Sequence, residues 1–189
     1  RLVRDWSSDV CSSDLDVTKY SKFNQLCYDL TQRNEIKDPR HFFYALRVAD
    51  GTKIRRPTSY HFDAFYLTVL VPILIPDKTK NNGKLYLYPN VRKIQRYALS
   101  NFALKALIQN RFVGYLLDKN FVATLLGRKE INLDPNCIYL FYGYRTIHGV
   151  GFHDEGLRAV CVYHLYDPHE DSSIVKMLRK KYFGRSEEH

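Results

Sequence analysis

The pattern of hydrophobic and polar positions divides the chain into many short β-strands and a few helices. The strand segments are rich in aromatic and β-branched residues or alternate in polarity, and Gly, Pro, Asn and Asp bound them. The segments predicted as strands are 41–48, 59–63, 66–75, 84–88, 137–142, 144–150 and 157–166. Strands this short with turn signals between them predict an antiparallel sandwich or barrel.

Three other segments carry apolar residues at three- and four-residue spacing, which predicts helices. Segment 18–33 precedes the strands, and a long block over 91–126 interrupts them, with Gly127 as its stop. A basic helix over 173–183, starting at Ser172 or Ser173, follows the last strand. The expected fold class is mainly β with α decoration, a jelly-roll-like core with an N-terminal helix and one helical insertion.

The two ends of the chain do not share this pattern. Residues 1–15 lack periodicity, contain the only Trp and carry the string SSDVCSSDL, which resembles translated sequencing-adapter read-through; residues 185–189 resemble the same artefact. The alternative is a natural disordered tail. We exclude both ends and expect a single domain over 16–184, with truncation of the natural gene left open on either side. Removing three basic and five acidic side chains leaves 26 basic and 15 acidic residues, a net charge of +11.

Composition and targeting signals narrow the class of protein. With 45% hydrophobic residues over 189 positions, the chain is neither disordered nor fibrous. Its longest apolar run, 64–75, is broken by Pro72 and is too short for a transmembrane helix, and no secretory signal pattern precedes it. We expect a soluble, cytoplasmic protein with no membrane partner. The three cysteines outside the ends form no CxxC pair and are expected to be buried thiols in a reducing compartment: Cys27, Cys137 and Cys161.

The tripeptide His61-Phe62-Asp63 is the most informative local motif. Alternate side chains of a strand point to the same face, so the imidazole of His61 and the carboxylate of Asp63 can bind one metal ion. His148, on a predicted late strand, is the candidate third ligand. Two His and one Asp on one face of a metal leave three positions open, the arrangement of non-haem Fe(II) oxygenases. We expect the other candidates to be surface or hydrogen-bonded histidines: His41, His153, His164 and His169.

Arg158 lies ten positions after His148 and opens the apolar strand segment 157–163. A guanidinium at the edge of an otherwise buried strand needs a carboxylate partner, which its planar fork binds bidentately. That partner is either an acidic side chain of the protein or a dicarboxylate cosubstrate.

Together these residues resemble the Fe(II)/2-oxoglutarate-dependent dioxygenases, which share an HxD motif, a distal His and an Arg about ten residues further on. Segment 82–89 is similar to the glycine-leucine strand of the prolyl-4-hydroxylase-like branch, and 138–150 followed by 156–158 is similar to its distal-His and Arg strands. The resemblance covers roughly residues 40–166 and implies a double-stranded β-helix core of the cupin-like kind. The helical block 91–126 is a large insertion relative to simple members of that branch.

The resemblance also implies an activity and a set of ligands. The enzyme would be a hydroxylase that uses O2 and 2-oxoglutarate and releases succinate and CO2, with Arg158 holding the distal carboxylate of 2-oxoglutarate. Its Fe(II) ligands would be His61, Asp63 and His148. Asp63 argues against halogenation, because related halogenases have a small residue at that position. Candidates for a second contact to 2-oxoglutarate are Tyr44, Tyr66 and Thr68.

The positive charge supports a rival interpretation, a nucleic-acid-binding module or an oxygenase that acts on nucleic acid. Its basic clusters are Lys78, Lys80 and Lys84, then Arg92, Lys93 and Arg96, then Lys176, Arg179, Lys180 and Lys181. No RNP-like or zinc-finger motif accompanies them, so we favour solvated basic faces. A third interpretation is a cupin-like domain without 2-oxoglutarate activity, against which Arg158 argues. The prime substrate is open: a small molecule or an amino-acid or peptidyl residue fits, and an anionic one suits the charge.

Overall fold

The computed structural model describes residues 22, 25–27, 29–30, 42–51, 58–76 and 82–177. Its strands are β1 (Phe42–Asp50), β2 (Leu67–Leu74), β3 (Leu85–Tyr88), β4 (Lys129–Ile131), β5 (Tyr139–Phe141), β6 (Ile147–Val150) and β7 (Leu157–Leu165). Its principal helices are α1 (Ala98–Ile108), α2 (Arg111–Leu117) and α3 (Asn120–Leu125). The described residues between 22 and 30, and residues 173–177, are also helical.

The described strands form two sheets in which every pairing is antiparallel. One sheet has the order β1-β7-β2-β5 and the other has the order β4-β3-β6. A single antiparallel bridge between His61 and His148 extends the second sheet beyond β6. Successive segments therefore alternate between the two sheets, except for β3 and β4, which are neighbours in one sheet and enclose the three helices in the sequence.

Aliphatic side chains fill the space between the two sheets. Leu70 and Val160 from the first sheet pack in one buried cluster with Leu85 and Leu87 from the second. Burying each of these side chains contributes roughly 1.5–3 kcal/mol. Because alternate residues of a strand share a face, Arg158 of β7 points to the same side as Val160, towards the interior between the sheets.

A second cluster joins the helices to the segment before β2. Tyr60 and Phe62 are buried with Tyr88, Leu117 of α2 and Ile147 of β6. The hydroxyl of Tyr60 donates to Asp118, directly after α2, at 2.8 Å. The helices are therefore packed against the stretch of chain that carries His61 and Asp63.

Most of the predicted elements are present, but some differ. Strand β4 was not predicted, and the helical block begins at Ala98 rather than at position 91. Segment 59–63, predicted as a strand, makes only the bridge at His61. The helical block divides into three helices at two breaks. Asn110 separates α1 from α2, because its side chain accepts a hydrogen bond from the N–H of Phe112 at 2.8 Å and starts α2 as an N-cap. A second break, at Asp118 and Lys119, separates α2 from α3. The stop at Gly127 is confirmed, since this residue has a φ of 66°.

The described residues also test the predictions for the terminal helices and the cysteines. The predicted first and last helices are helical where they are described, and the rest of 18–33 and 173–183 lies outside the described residues, as does His41. Cys27 is buried, whereas Cys137 and Cys161 are free thiols that are only partly buried, so full burial is wrong for these two. None of the described helices has the length and hydrophobicity needed to cross a bilayer.

Candidate metal centre

His61 and His148 face each other across the β-bridge that joins their strands. The backbone N–H of each donates to the carbonyl of the other, at 2.9 and 3.0 Å, and the ring centroids are 4.3 Å apart. Nδ1 of His61 lies 3.1 Å from the carbonyl of Ser59, and Nδ1 of His148 lies 3.0 Å from the carbonyl of Thr146. A hydrogen bond from Nδ1–H to each carbonyl leaves both Nε2 atoms as the metal-binding lone pairs.

The carboxylate of Asp63 completes this group. Its Oδ2 lies 3.4 Å from Nε2 of His148, and its Oδ1 lies 3.8 Å from Nε2 of His61. Each of the three residues offers one ligand atom, and these atoms all lie within 4.8 Å of one another. A cation bonded at about 2 Å to each ligand atom fits inside a group of this size. The structure thus brings together the three side chains that the sequence singled out.

The pKa values of the three side chains shift in different directions. Burial alone would raise the pKa of Asp63 and lower that of His148, but their mutual attraction outweighs burial, so the pKa of Asp63 is lowered and that of His148 is raised. Burial and the nearby His148 lower the pKa of His61 to about 4. Without a metal, these shifts favour the charged forms of Asp63 and His148 and the neutral form of His61.

Two side chains that the sequence did not assign to the metal centre also contact Asp63. The hydroxyl of Thr68 donates to Oδ2, and Nδ1 of His164 lies 3.6 Å from the same oxygen and 3.3 Å from the Thr68 hydroxyl oxygen. Thr68 and His164 are register partners on β2 and β7. His164 is therefore a hydrogen-bonded histidine, as expected, and with Thr68 it fixes the orientation of the Asp63 carboxylate.

Gly143 provides the space that this carboxylate occupies. A Cβ at this position would overlap Oδ2 of Asp63 and the hydroxyl oxygen of Thr68. The carbonyl of Gly143 also accepts the backbone N–H of Asp63 at 3.1 Å. Any side chain at position 143 would displace the carboxylate, so Gly143 belongs to the architecture of the site although it offers no ligand atom.

Replacing Thr68 with valine is expected to weaken binding of Zn(II) or Co(II) about 10- to 100-fold. Valine keeps the volume but removes the hydroxyl that holds Oδ2 of Asp63. Calorimetric titration measures the affinity. The control is Thr124→Val, on the exposed surface of α3, which should bind metal like the parent. Equal affinities for the Thr68 and Thr124 variants would show that the hydroxyl does not orient Asp63.

Arg158 is a second unusual feature of the same interior. The residue is 6% exposed, and its Nε is buried without a hydrogen-bond partner. Within the described ranges no acidic side chain forms an ion pair with it, and burial lowers its pKa. Gly83, at a φ of 71°, lets the backbone approach: a Cβ there would lie 3.0 Å from Cδ of Arg158. A guanidinium this buried is normally paired, so the site is suited to an anion from outside the protein.

The structure places the candidates for a second cosubstrate contact apart from one another. Thr68 contacts Asp63, as described above. Tyr44 is exposed on β1. Ala49 of the same strand is the register partner of Arg158, and Tyr44 lies five positions before it. An odd separation places the two side chains on opposite faces of a strand, so Tyr44 points to the other face of the sheet from Arg158. Tyr66 packs in a separate buried cluster that includes Cys27.

The predicted basic clusters are partly engaged in contacts within the protein. Nζ of Lys84 lies 3.4 Å from Glu130, and Nζ of Lys176 lies 3.2 Å from Asp171. Arg92 is not on a free surface, because its guanidinium stacks 3.8 Å from the ring centroid of Phe62. The remaining basic residues that lie outside the described ranges are Lys78, Lys80, Arg179, Lys180 and Lys181.

Comparison with known proteins gives distant structural neighbours. No protein-family model and no curated protein matches the chain. A prolyl-4-hydroxylase from Pseudomonas putida has a TM-score of 0.47 and 9% identity over 82% of this chain and 68% of its own. A Phytophthora capsici prolyl 4-hydroxylase has a TM-score of 0.47 and 12% identity over 80% and 42%.

A further neighbour is SnoN, the non-haem α-ketoglutarate-dependent epimerase from nogalamycin biosynthesis. It has a TM-score of 0.37 and 15% identity over 76% of this chain and 59% of its own. At these identities and TM-scores the similarities assign neither a family nor an activity. The chemistry of the site therefore has to be judged from its own residues.

Proposed function

We propose that the protein is an Fe(II)- and 2-oxoglutarate-dependent oxygenase that hydroxylates its substrate. The observation that carries the proposal is the convergence of His61, Asp63 and His148, with both Nδ1 atoms held by backbone carbonyls. Two imidazole nitrogens and one carboxylate oxygen are the donor set of non-haem Fe(II) oxygenases, in which the remaining metal positions accept exchangeable ligands.

Arg158 supports 2-oxoglutarate as the cosubstrate. Its buried Nε lacks a partner, and no ion pair with a described acidic side chain neutralises the guanidinium. A dicarboxylate that bound the metal through one end would present its other carboxylate as the missing anion. The planar guanidinium fork binds such a carboxylate through two parallel hydrogen bonds.

The arrangement of the two sheets supports a double-stranded β-helix core. Successive chain segments alternate between the sheets, and the bridge at His61 occupies the position of a fourth strand beside β6. In such a core the metal ligands lie between the sheets at one end. The jelly-roll order would then place His61 and Asp63 opposite the inward-facing residues of β7.

The residues around the metal centre have defined roles in this scheme. Bound Fe(II) would supply the place where O2 is activated while 2-oxoglutarate is oxidised to succinate and CO2. Thr68 and His164 hold Asp63 in one orientation, and the carbonyls of Ser59 and Thr146 hold the two imidazoles. These contacts keep the ligand atoms in place before the metal arrives, which lowers the cost of ordering them.

The proposal is tested by adding 2-oxoglutarate to the anaerobic protein loaded with Fe(II). A weak visible charge-transfer band should develop, because the cosubstrate and the metal are in direct contact. Absence of that band with the metal fully bound would exclude the cosubstrate. A screen of amino acids, peptides and small carboxylic acids for succinate release would then identify the class of substrate.

Metal affinity is expected to rise with pH by about tenfold per pH unit up to the pKa of His148 and then to level off. His148 has a pKa raised above its ordinary 6.5, so its proton competes with the metal through the neutral range. Asp63 is already ionised there, and His61, with a pKa of about 4, is already neutral. The pairing of the His148 imidazolium with Asp63 also stabilises the fold of the metal-free protein. This contribution is fully present below pH 6.5 and is lost as pH rises through the raised pKa of His148.

Zn(II) titrations between about pH 5.5 and pH 8 measure this slope. The control is His169→Gln, because the imidazole of His169 contacts the hydroxyl of Tyr144 rather than the metal ligands. The control should keep the parental slope. An affinity for Zn(II) that did not vary with pH would show that no proton leaves His148 when the metal binds.

A further inference from the structure

Helix α1 directs one lysine towards the protein rather than towards solvent. Its buried and partly buried positions include Ala98, Asn101, Lys105 and Ile108, at the three- and four-residue spacing of one helix face. Long basic side chains on helices of this kind usually occupy the solvent side. Lys105 is therefore an exception that requires a reason.

Contacts on either side of Lys105 fix where this face lies. One turn before it, the side-chain oxygen of Asn101 accepts a hydrogen bond at 2.9 Å from Arg92, whose guanidinium stacks 3.8 Å from the ring centroid of Phe62. One turn after it, Ile108 packs on the cluster that contains Tyr60 and Phe62. Lys105 is thus held between two attachments to the segment that carries His61 and Asp63.

The electrostatic surroundings of Lys105 agree with this position. Burial lowers its pKa, and the carboxylate that most opposes this shift is Asp63, followed by Asp167. In the described part of the chain Lys105 forms no ion pair, although Asp63 and Asp167 both act on its charge.

With Fe(II) and 2-oxoglutarate bound, the charges at the site would balance without Lys105, so no negative group would offset its ammonium charge. Two positive charges of Fe(II) and the guanidinium of Arg158 equal the negative charges of Asp63 and the 2-oxoglutarate dianion. The other two charged groups that act on Lys105 are Arg92 and Asp167, which have opposite signs and offset each other. One ammonium charge on Lys105 therefore remains for a ligand, and a single carboxylate matches it.

We propose that Lys105 binds a carboxylate of the prime substrate, so the enzyme acts on a small molecule that carries a free carboxyl group. This inference rests on the proposed function and adds a substrate class to it. The carboxylate anchors the molecule on α1, and the reacting C–H bond is then held beside the metal centre. Lys105 is a specificity-determining residue in this scheme.

The test uses protein loaded with Zn(II) and 2-oxoglutarate, which cannot turn over. N-acetyl amino acids are titrated by calorimetry, each paired with its N-acetyl amide, which has the same shape and no charge. At least one acid should bind about 10- to 100-fold more tightly than its amide. In Lys105→Met this ratio should fall to about one, whereas Lys105→Arg should keep part of it.

Lys93→Met is the matched control, because Lys93 is exposed outside the helix; it should keep the parental ratio. Acid preference that survives in Lys105→Met, or no acid preference anywhere in the panel, would overturn the inference. A loss of 2-oxoglutarate affinity in Lys105→Met as large as that in Arg158→Met would assign Lys105 to the cosubstrate instead. Failure of the parent protein to bind metal or 2-oxoglutarate would refute the proposed function itself, which the same titrations reveal.

Discussion

Replacing Asp63 with alanine is expected to reduce the affinity for Fe(II) by more than about 100-fold and to abolish succinate formation. Asp63 is the one carboxylate in the metal-binding group, and it supplies the negative charge that offsets part of the cation's charge. The two imidazoles that remain, His61 and His148, offer only neutral nitrogen atoms. Anaerobic titration with Fe(II) and a succinate assay measure the two effects.

The folding of this variant needs its own measurement, because the substitution removes the carboxylate that accepts from the Thr68 hydroxyl and leaves Nδ1 of His164, 3.3 Å away, as its remaining partner. Loss of a buried hydrogen bond costs up to about 1–3 kcal/mol, which thermal unfolding of the metal-free protein detects. Asp171→Ala is the matched control, since that carboxylate is fully exposed and pairs only with Lys176 among the described residues. A folded Asp63 variant that bound Fe(II) like this control would place the metal elsewhere.

Replacing Arg158 with methionine is expected to raise the 2-oxoglutarate concentration required for half-maximal turnover by about 30-fold or more, with little change in Fe(II) affinity. Methionine keeps an aliphatic stem next to Gly83 and removes the charged fork. The two affinities should respond differently because Arg158 lies on β7, whereas the metal-ligand atoms belong to other segments. Titration of the charge-transfer band with 2-oxoglutarate and a separate Fe(II) titration measure the two affinities.

The same variant has a second signature in the protein without cosubstrate. Burial lowers the pKa of Arg158, which means that its charge is held in place at a cost. Removing this cation should leave thermal stability unchanged or raise it, unlike the removal of a paired arginine. Arg111→Ala, on the exposed start of α2, is the control for loss of a positive charge. Equal weakening of iron and 2-oxoglutarate binding in the Arg158 variant would indicate distortion of the fold instead.

The side chains that offer ligand atoms could be predicted because their pattern is local. His61 and Asp63 are two positions apart, and His148 belongs to a strand that hydrophobicity marks. The contacts that orient Asp63 could not be predicted in this way. Thr68 meets His164 across 96 positions of sequence, and their contact depends on the register between β2 and β7.

The elements of the fold that could be predicted were likewise those with a local sequence pattern. Hydrophobic alternation indicated most strands, but the three-residue strand β4 is too short to show a pattern and is stabilised by pairing with β3. The break at Asn110 depends on capping, which competes with continuation of the helix. Gly143 carried no signal beyond a turn residue, because its role arises only where Asp63 and Thr68 meet.

The position of the three helices between β3 and β4 has a consequence for how a protein with this fold can diversify. Leu87 and Lys129 are direct partners in the β3–β4 ladder, so the chain leaves the sheet and returns to it at adjacent places. Everything between them, Lys105 included, is one contiguous insert in an otherwise closed hairpin. Evolution or an engineer can exchange that insert as a cassette, changing which molecules are accepted while the strands that carry His148 and Arg158 are inherited intact.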